Sequence, residues 1–237
     1  MAEPKKPLHM CISKRSRFTA PSIVKIRVGT APNCVEFAAH ESFLVTRSEF
    51  FRRALNGNWE EAESRIVKLP DDVPEVFGLY LNLVYTGHLP TERKSQDAIV
   101  ALDWAGFWQR ANDEYTDLIN VYVLAEKLQD TVSKNATVVA IVDVAQLVWH
   151  DGRPALPSFR LASKGFDETP EGSQLRRLLI ELSGNVRLNH IILRVHNYDF
   201  NSYFVKDLAD RLDRNFQLRS GQRDLVAIKA AIQEYME

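Results

Sequence analysis

Between Arg65 and Gly87 the apolar residues change their period, and this change restricts the fold more than any other feature of the chain. Arg65-Ile66-Val67-Lys68-Leu69 is short, rich in β-branched residues and closed by Pro70, so it reads as a strand. A few residues later Val73, Val76, Phe77, Tyr80, Leu81 and Val84 recur at steps of 3, 1, 3, 1 and 3, which is one face of a helix. Asp72 and Glu75 predict a capping box at its start, and Pro74 suits the first turn. Gly87 supplies the stop. A strand that runs directly into an amphipathic helix must bury both apolar faces together, so the chain is expected to be α+β.

The flanking segments extend this pattern. From Ser22 to Gly29, Ile26 and Val28 alternate with Lys25 and Arg27, the period of a half-buried strand. Thr30 to Asn33 carries turn residues, and Cys34 to Ala38 reads as a second strand, which predicts a hairpin. Beyond His40, Phe43, Leu44, Ser48, Phe51 and Leu55 approximate one helical face through Asn56, with Asn56-Gly57-Asn58 as its stop. Leu118, Val121, Tyr122, Ala125 and Leu128 mark another helix, and Val132 to Val148 a further one, apolar nearly all round and therefore buried. The stretch 88–115 is mixed, and its Trp104, Phe107 and Trp108 are expected to dock on the domain from a surface segment.

Residues 150–172 hold Pro154, Pro157, Pro170 and several glycines, and read as a linker. Thr169-Pro170-Glu171 predicts a helix start, followed by Leu175, Leu178, Leu179 and Leu182 at helical spacing. The expected organisation is a basic flexible tail over 1–20, a domain over 21–149, the linker 150–172 and a helical region over 173–237.

Charge and chemistry exclude several functions. Basic and acidic residues number 30 and 31, a net charge of -1, so no overall field draws a nucleic acid or an anionic membrane. The tail is locally basic, and reads either as a solvated end or as an import or nucleic-acid arm. The longest nearly apolar run, Ala136 to Trp149, is too short and polar to span a bilayer. The two cysteines, Cys11 and Cys34, cannot make a disulfide framework or a four-cysteine zinc site, and Cys34 is expected to be a small buried hydrophobe. No pair of glycines has the spacing of a dinucleotide-binding or P-loop motif. No histidines are spaced as in HExxH, and no GxSxG elbow is present. These residues predict no cofactor, no metal and no enzymatic activity, in a soluble intracellular protein of the nucleus or cytoplasm.

The ordered set of elements resembles a BTB/POZ domain. The residues that carry it are the strand Ile23 to Val28, Val35-Glu36-Phe37-Ala38-Ala39-His40, and the spacing of His40, Leu44, Ser48 and Phe51. Trp59-Glu60-Glu61, the strand Arg65 to Leu69, Asp71 to Phe77, and the helix that ends in Tyr85-Thr86-Gly87 follow in order. Tyr122 to Leu128 is similar to the family's next helix. Residues 151–237 look like the C-terminal half of fungal BTB proteins. Two departures stand out. Ser22 occupies a place where many animal members carry an aspartate implicated in dimerisation, and the 88–115 connection is longer than usual.

The resemblance implies a BTB/POZ fold, a short β-sheet with a cluster of α-helices, followed by a mainly helical C-terminal region. It implies a homodimer, and it brings no catalytic residues. Many members present substrates to cullin-based ubiquitin ligases and others sit in transcription factors, so the chain reads as an interaction adaptor or as a nuclear regulator. A cullin scaffold is a candidate partner. In cullin-binding members the place of Trp59 and Glu61 often holds a hydrophobic residue, any residue, then Glu. The alternative for these two residues is an indole folded back on its own domain beside a solvated acidic loop.

Overall fold

The computed structural model describes residues 22–56, 59–91, 102–185, 200–217 and 231–236. The basic tail 1–20, with Cys11 and Phe18, lies outside them, as do Gly57, Asn58, Leu225 and Ile228.

Strands β1 (Ile23–Val28) and β2 (Val35–His40) form the expected antiparallel hairpin. The third strand, β3 (Ile66–Leu69), lies parallel to β1 on its other side, so the sheet is mixed with order β2-β1-β3. Alternation along β1 sends Val24, Ile26 and Val28 inward and leaves Ile23, Lys25 and Arg27 exposed. Cys34 precedes β2 and is exposed, not buried as its apolar neighbours suggested. It belongs to the turn, where no second layer covers it.

The helical run after His40 is broken in two, α1 (Glu41–Arg47) and α2 (Glu49–Asn56). Ser48 makes the break. Its backbone is extended, and its hydroxyl accepts from the Phe51 amide at 3.1 Å while donating to the Leu128 carbonyl at 2.5 Å. A side chain that caps one helix and anchors to another is worth more here than one more helical residue.

Helix α3 (Glu60–Ser64) precedes β3, and α4 (Pro74–Thr86) follows it. Pro74 does occupy the first turn of α4, and Gly87 ends it with φ 73°, a left-handed conformation that suits glycine. The capping box does not form. Val73 is the N-cap and makes no side-chain bond, while Asp72 is drawn instead to Lys127, whose ammonium donates to it at 2.6 Å. Phe77, Tyr80, Leu83 and Val84 are buried, and all but Leu83 belong to the core under the sheet.

Trp104 opens a single long helix, α5 (Trp104–Lys127), capped by the Asp103 carboxylate on the Gly106 amide. The aromatic segment expected at the surface is thus the first turn of this helix, with Phe107 buried. Helix α6 (Thr131–Ala145) follows, capped by Asp130 on the Ser133 amide.

The proline-rich stretch 150–172 is not a free linker. It contains α7 (Phe159–Asp167), and Ala155, Leu156, Phe159, Leu161, Ala162 and Phe166 are all buried. Its prolines and glycines punctuate elements. Pro157 precedes the N-cap Ser158, Gly152 and Gly172 turn with positive φ, and Gly165 lets α7 approach α8 (Gln174–Ser183). Thr169-Pro170-Glu171 forms a turn, and α8 begins later, behind Ser173. The Thr169 hydroxyl donates to the Gly165 carbonyl and so closes α7 rather than opening α8. Leu175, Leu178, Leu179 and Leu182 are fully buried as their spacing requires. Helix α9 (Ser202–Gln217) and a short 3-10 turn (Ile232–Tyr235) complete the described chain.

Two apolar cores result. One gathers Val24, Ile26, Val28, Leu44, Phe51, Leu69, Phe77 and Tyr80 with Leu124 and Leu128 from the end of α5. The other gathers Phe107, Tyr115, Leu118 and Tyr122 of α5 with α6, α7, α8 and α9. Tyr122 belongs to the second core, not to that of Phe77. A methyl at Gly165 would lie 2.6 Å from Leu179 Cδ1. Gly165→Ala is expected to cost about 1–3 kcal/mol through overpacking. Urea denaturation reads this cost, and an unchanged midpoint would mean that Leu179 turns aside freely.

Candidate functional site

The residues singled out in the sequence separate into three groups. Leu44, Ser48 and Phe51 are buried and build the fold. Gly87 has open space around it, so its role is the backbone turn alone.

His40 and Tyr85 are brought together, β2 delivering the first and the last turn of α4 the second. The Tyr85 hydroxyl accepts the His40 backbone N–H at 2.8 Å and lies 2.9 Å from His40 Nδ1. Its oxygen takes the amide proton, and it donates to the imidazole or accepts from it according to the histidine tautomer. Phe43 stacks on Tyr85 with ring centroids 4.8 Å apart and planes at 16°. This aromatic cluster closes the end of the sheet while Tyr85 stays partly open to solvent.

Trp59 and Glu61 form the third group. Trp59 stands at the head of α3 with 65% of its surface exposed, so the indole is not folded back into the domain. Glu60 is exposed and Glu61 half-buried, and Lys68 of β3 lies 3.9 Å from Glu60. Arg65 ends α3 in a left-handed conformation, φ 58°. Its guanidinium donates to the Glu41 carboxylate and to the Ser22 hydroxyl, joining the starts of β1, α1 and β3.

Sequence reasoning missed the buried polar knot beneath these surfaces. Asp130, fully buried, accepts from the Tyr80 hydroxyl at 3.1 Å and from the Ser133 hydroxyl at 2.7 Å. Arg47 Nε lies 3.3 Å from the same carboxylate, a charge contact without good hydrogen-bond alignment. The guanidinium donates well elsewhere, to Ser133 Oγ at 2.9 Å and to the Leu83 carbonyl at 3.2 Å. Burial, and secondarily the Asp130 charge, push the Tyr80 hydroxyl far above its ordinary range, so it stays a donor. The visible signal was Asp130 three residues before Ser133, a helix-capping spacing.

On the open face of the sheet, Glu36 accepts from Arg27 at 3.0 Å and pairs with Lys25 at 2.8 Å. These two cations hold its carboxyl below the usual range. Among the described residues no group of histidines, cysteines and carboxylates could hold a metal ion, and no helix is long and apolar enough to cross a membrane.

Residues 24–112 match the family model of the BTB/POZ domain. This part of the chain is a BTB/POZ domain. The match covers the sheet, α1 to α4 and the first turns of α5, and the BTB/POZ region is α+β, with a mainly helical part after it. A BTB/POZ domain is a non-catalytic module of protein–protein interaction and oligomerisation, which agrees with a surface built of aromatic and charged contacts. The match ends at residue 112 and lends no support to the expected likeness of residues 151–237 to fungal proteins.

Proposed function

We propose that the protein is an intracellular adaptor, in the nucleus or cytoplasm, that homodimerises through its BTB/POZ domain and offers Trp59 and Glu61 to a cullin-type scaffold. In this reading 21–149 is the interaction unit and 173–237 a helical region that serves the partner or substrate. The observation that carries it is the exposed indole of Trp59 at the head of a short acidic helix, at the place where cullin-binding relatives carry a hydrophobic residue, any residue, then Glu. A buried indole contributes roughly 150–250 Å² to a contact, and aromatics are enriched among interface hot spots. Glu61 then orients the partner by its charge.

Dimerisation is assigned to the segment Phe18 to Ile23 and to α1. Ile23 is exposed beside the His40–Phe43–Tyr85 cluster, which supports an apolar contact there. A monomeric mass at micromolar concentration in sedimentation would remove this part of the reading.

The scaffold contact is tested by pull-down with the cullin of the source organism, comparing wild type with the double variant Trp59→Ala, Glu61→Ala. Both side chains lie outside the two cores, so the melting temperature should hold while binding is lost. Equal capture of both proteins, or no capture of wild type, would leave a BTB/POZ module without this partner.

A further inference from the structure

The two edges of the sheet are finished differently. On one side β3 is four residues long, carries Lys68, ends at Pro70, and has its outer Ile66 amide bonded to Ser64 Oγ at 3.3 Å. A short strand with a lysine, a proline and a local cap is a blunted edge. On the other side β2 runs six residues, Val-Glu-Phe-Ala-Ala-His, with no lysine, no proline and an unbroken register against β1.

The direction of the backbone groups along β2 follows from bonds at its ends. Glu41 donates to the Ser22 carbonyl, and on β1 the amides of Lys25 and Gly29 point instead to β3. Antiparallel alternation then sends the N–H and C=O groups of Glu36, Ala38 and His40 away from β1. The His40 amide is taken by the Tyr85 hydroxyl. Among the described residues the amides of Glu36 and Ala38 meet no partner, and Val35, Glu36 and Ala38 are exposed.

We propose that β2 pairs antiparallel with β2 of a second copy of this chain, about a two-fold axis at Ala38. The strand is self-complementary in this register. Ala38 faces Ala38 of the second copy, where its small side chain lets the strands close, and the two exchange amide bonds. Glu36 falls opposite His40, a carboxylate against an imidazole, and its amide reaches the His40 carbonyl. A register centred on Glu36 would set two carboxylates against each other, which opposes it. The Tyr85 bond ends the ladder at His40. Two three-stranded sheets become one continuous sheet by strand addition.

This contact shares His40 with the proposed dimer but is centred on Ala38, so changes at Ala38 and Glu36, which leave the N-terminal segment and α1 intact, separate the two. A strand-to-strand contact buries less than a standard interface, so it is read as a concentration-dependent rise in mass. The test is sedimentation equilibrium of the full chain as wild type, Ala38→Pro and Glu36→Lys, with amide exchange followed at Glu36 and Ala38. Proline at 38 removes an N–H that has no partner within the described residues, so the fold is expected to survive. Glu36→Lys gives an independent reading if it does not.

Wild type should rise above its low-concentration mass, with exchange at both amides slowing as it does so. Both variants should lose that rise. A low-concentration mass equal to one chain would count against the N-terminal dimer while leaving the β2 contact standing. Equal mass curves for wild type and both variants would overturn the proposal. So would slowed exchange without a rise in mass, which would mean that some other segment covers the edge.

Discussion

Asp130→Ala is expected to destabilise the protein by about 3–5 kcal/mol, because it leaves a charge buried without its partner. The carboxylate has three attachments besides its helix cap: Tyr80 from α4, Ser133 from α6 and the Arg47 guanidinium from α1. Its removal orphans the Tyr80 hydroxyl in a site that water does not reach, and it uncaps α6. For a chain of this length the melting temperature should fall by roughly 6–20 °C. Tyr80→Phe is the control, since it removes only the hydroxyl and should cost about 1 kcal/mol. Should the two variants melt together, the Arg47–Asp130 contact contributes nothing beyond the tyrosine bond.

Phe77→Ala is expected to cost about 3–5 kcal/mol as well, by a different route. Phe77 is fully buried, with Phe37 edge-on at 5.0 Å and Tyr80 tilted at 5.9 Å. Truncation opens a cavity between the sheet and α4 that neither element is free to fill. Denaturant titration with an unchanged slope would report the loss as stability rather than as a change in the unfolded chain. Tyr80 touches both Phe77 and Asp130, so the double variant should cost less or more than the sum, and additivity would show that the two sites are independent. A loss well under 1 kcal/mol would mean that the core closes around the gap.

What could be read before the structure was whatever rests on period. Val24, Ile26 and Val28 point inward, and the four leucines from Leu175 to Leu182 are buried, because one strand face and one helix stripe leave no other choice. The ends of elements were harder to read. Ser48 looks like a helical position, yet a hydroxyl that satisfies the Phe51 amide and the Leu128 carbonyl together divides the helix. Asp72 looks like half of a capping box, yet Lys127 lies across from it in space and far from it in sequence. Pro154 and Pro157 look like a linker, although both sit outside α7 and only mark where it can begin. Of the candidate site, the meeting of His40 with Tyr85 was legible only as a family spacing. The parallel placement of β3, and with it the contrast between the two sheet edges, carried no local signal at all, since parallel pairing is decided by the crossover.

The continuity of α5 has a mechanical consequence. Its 24 residues form a rod of about 36 Å. The last of its apolar residues, Leu124, and Leu128 just beyond its end are fastened into the sheet-bearing core, while Phe107 to Tyr122 are fastened into the helical one. No hinge glycine or proline interrupts the rod between these two attachments. The BTB/POZ half and the helical half are thereby held at a set angle. A protein bound to the BTB/POZ half would meet the helical half in one pose instead of searching through many on a tether. That angle is set when the protein folds, before anything binds.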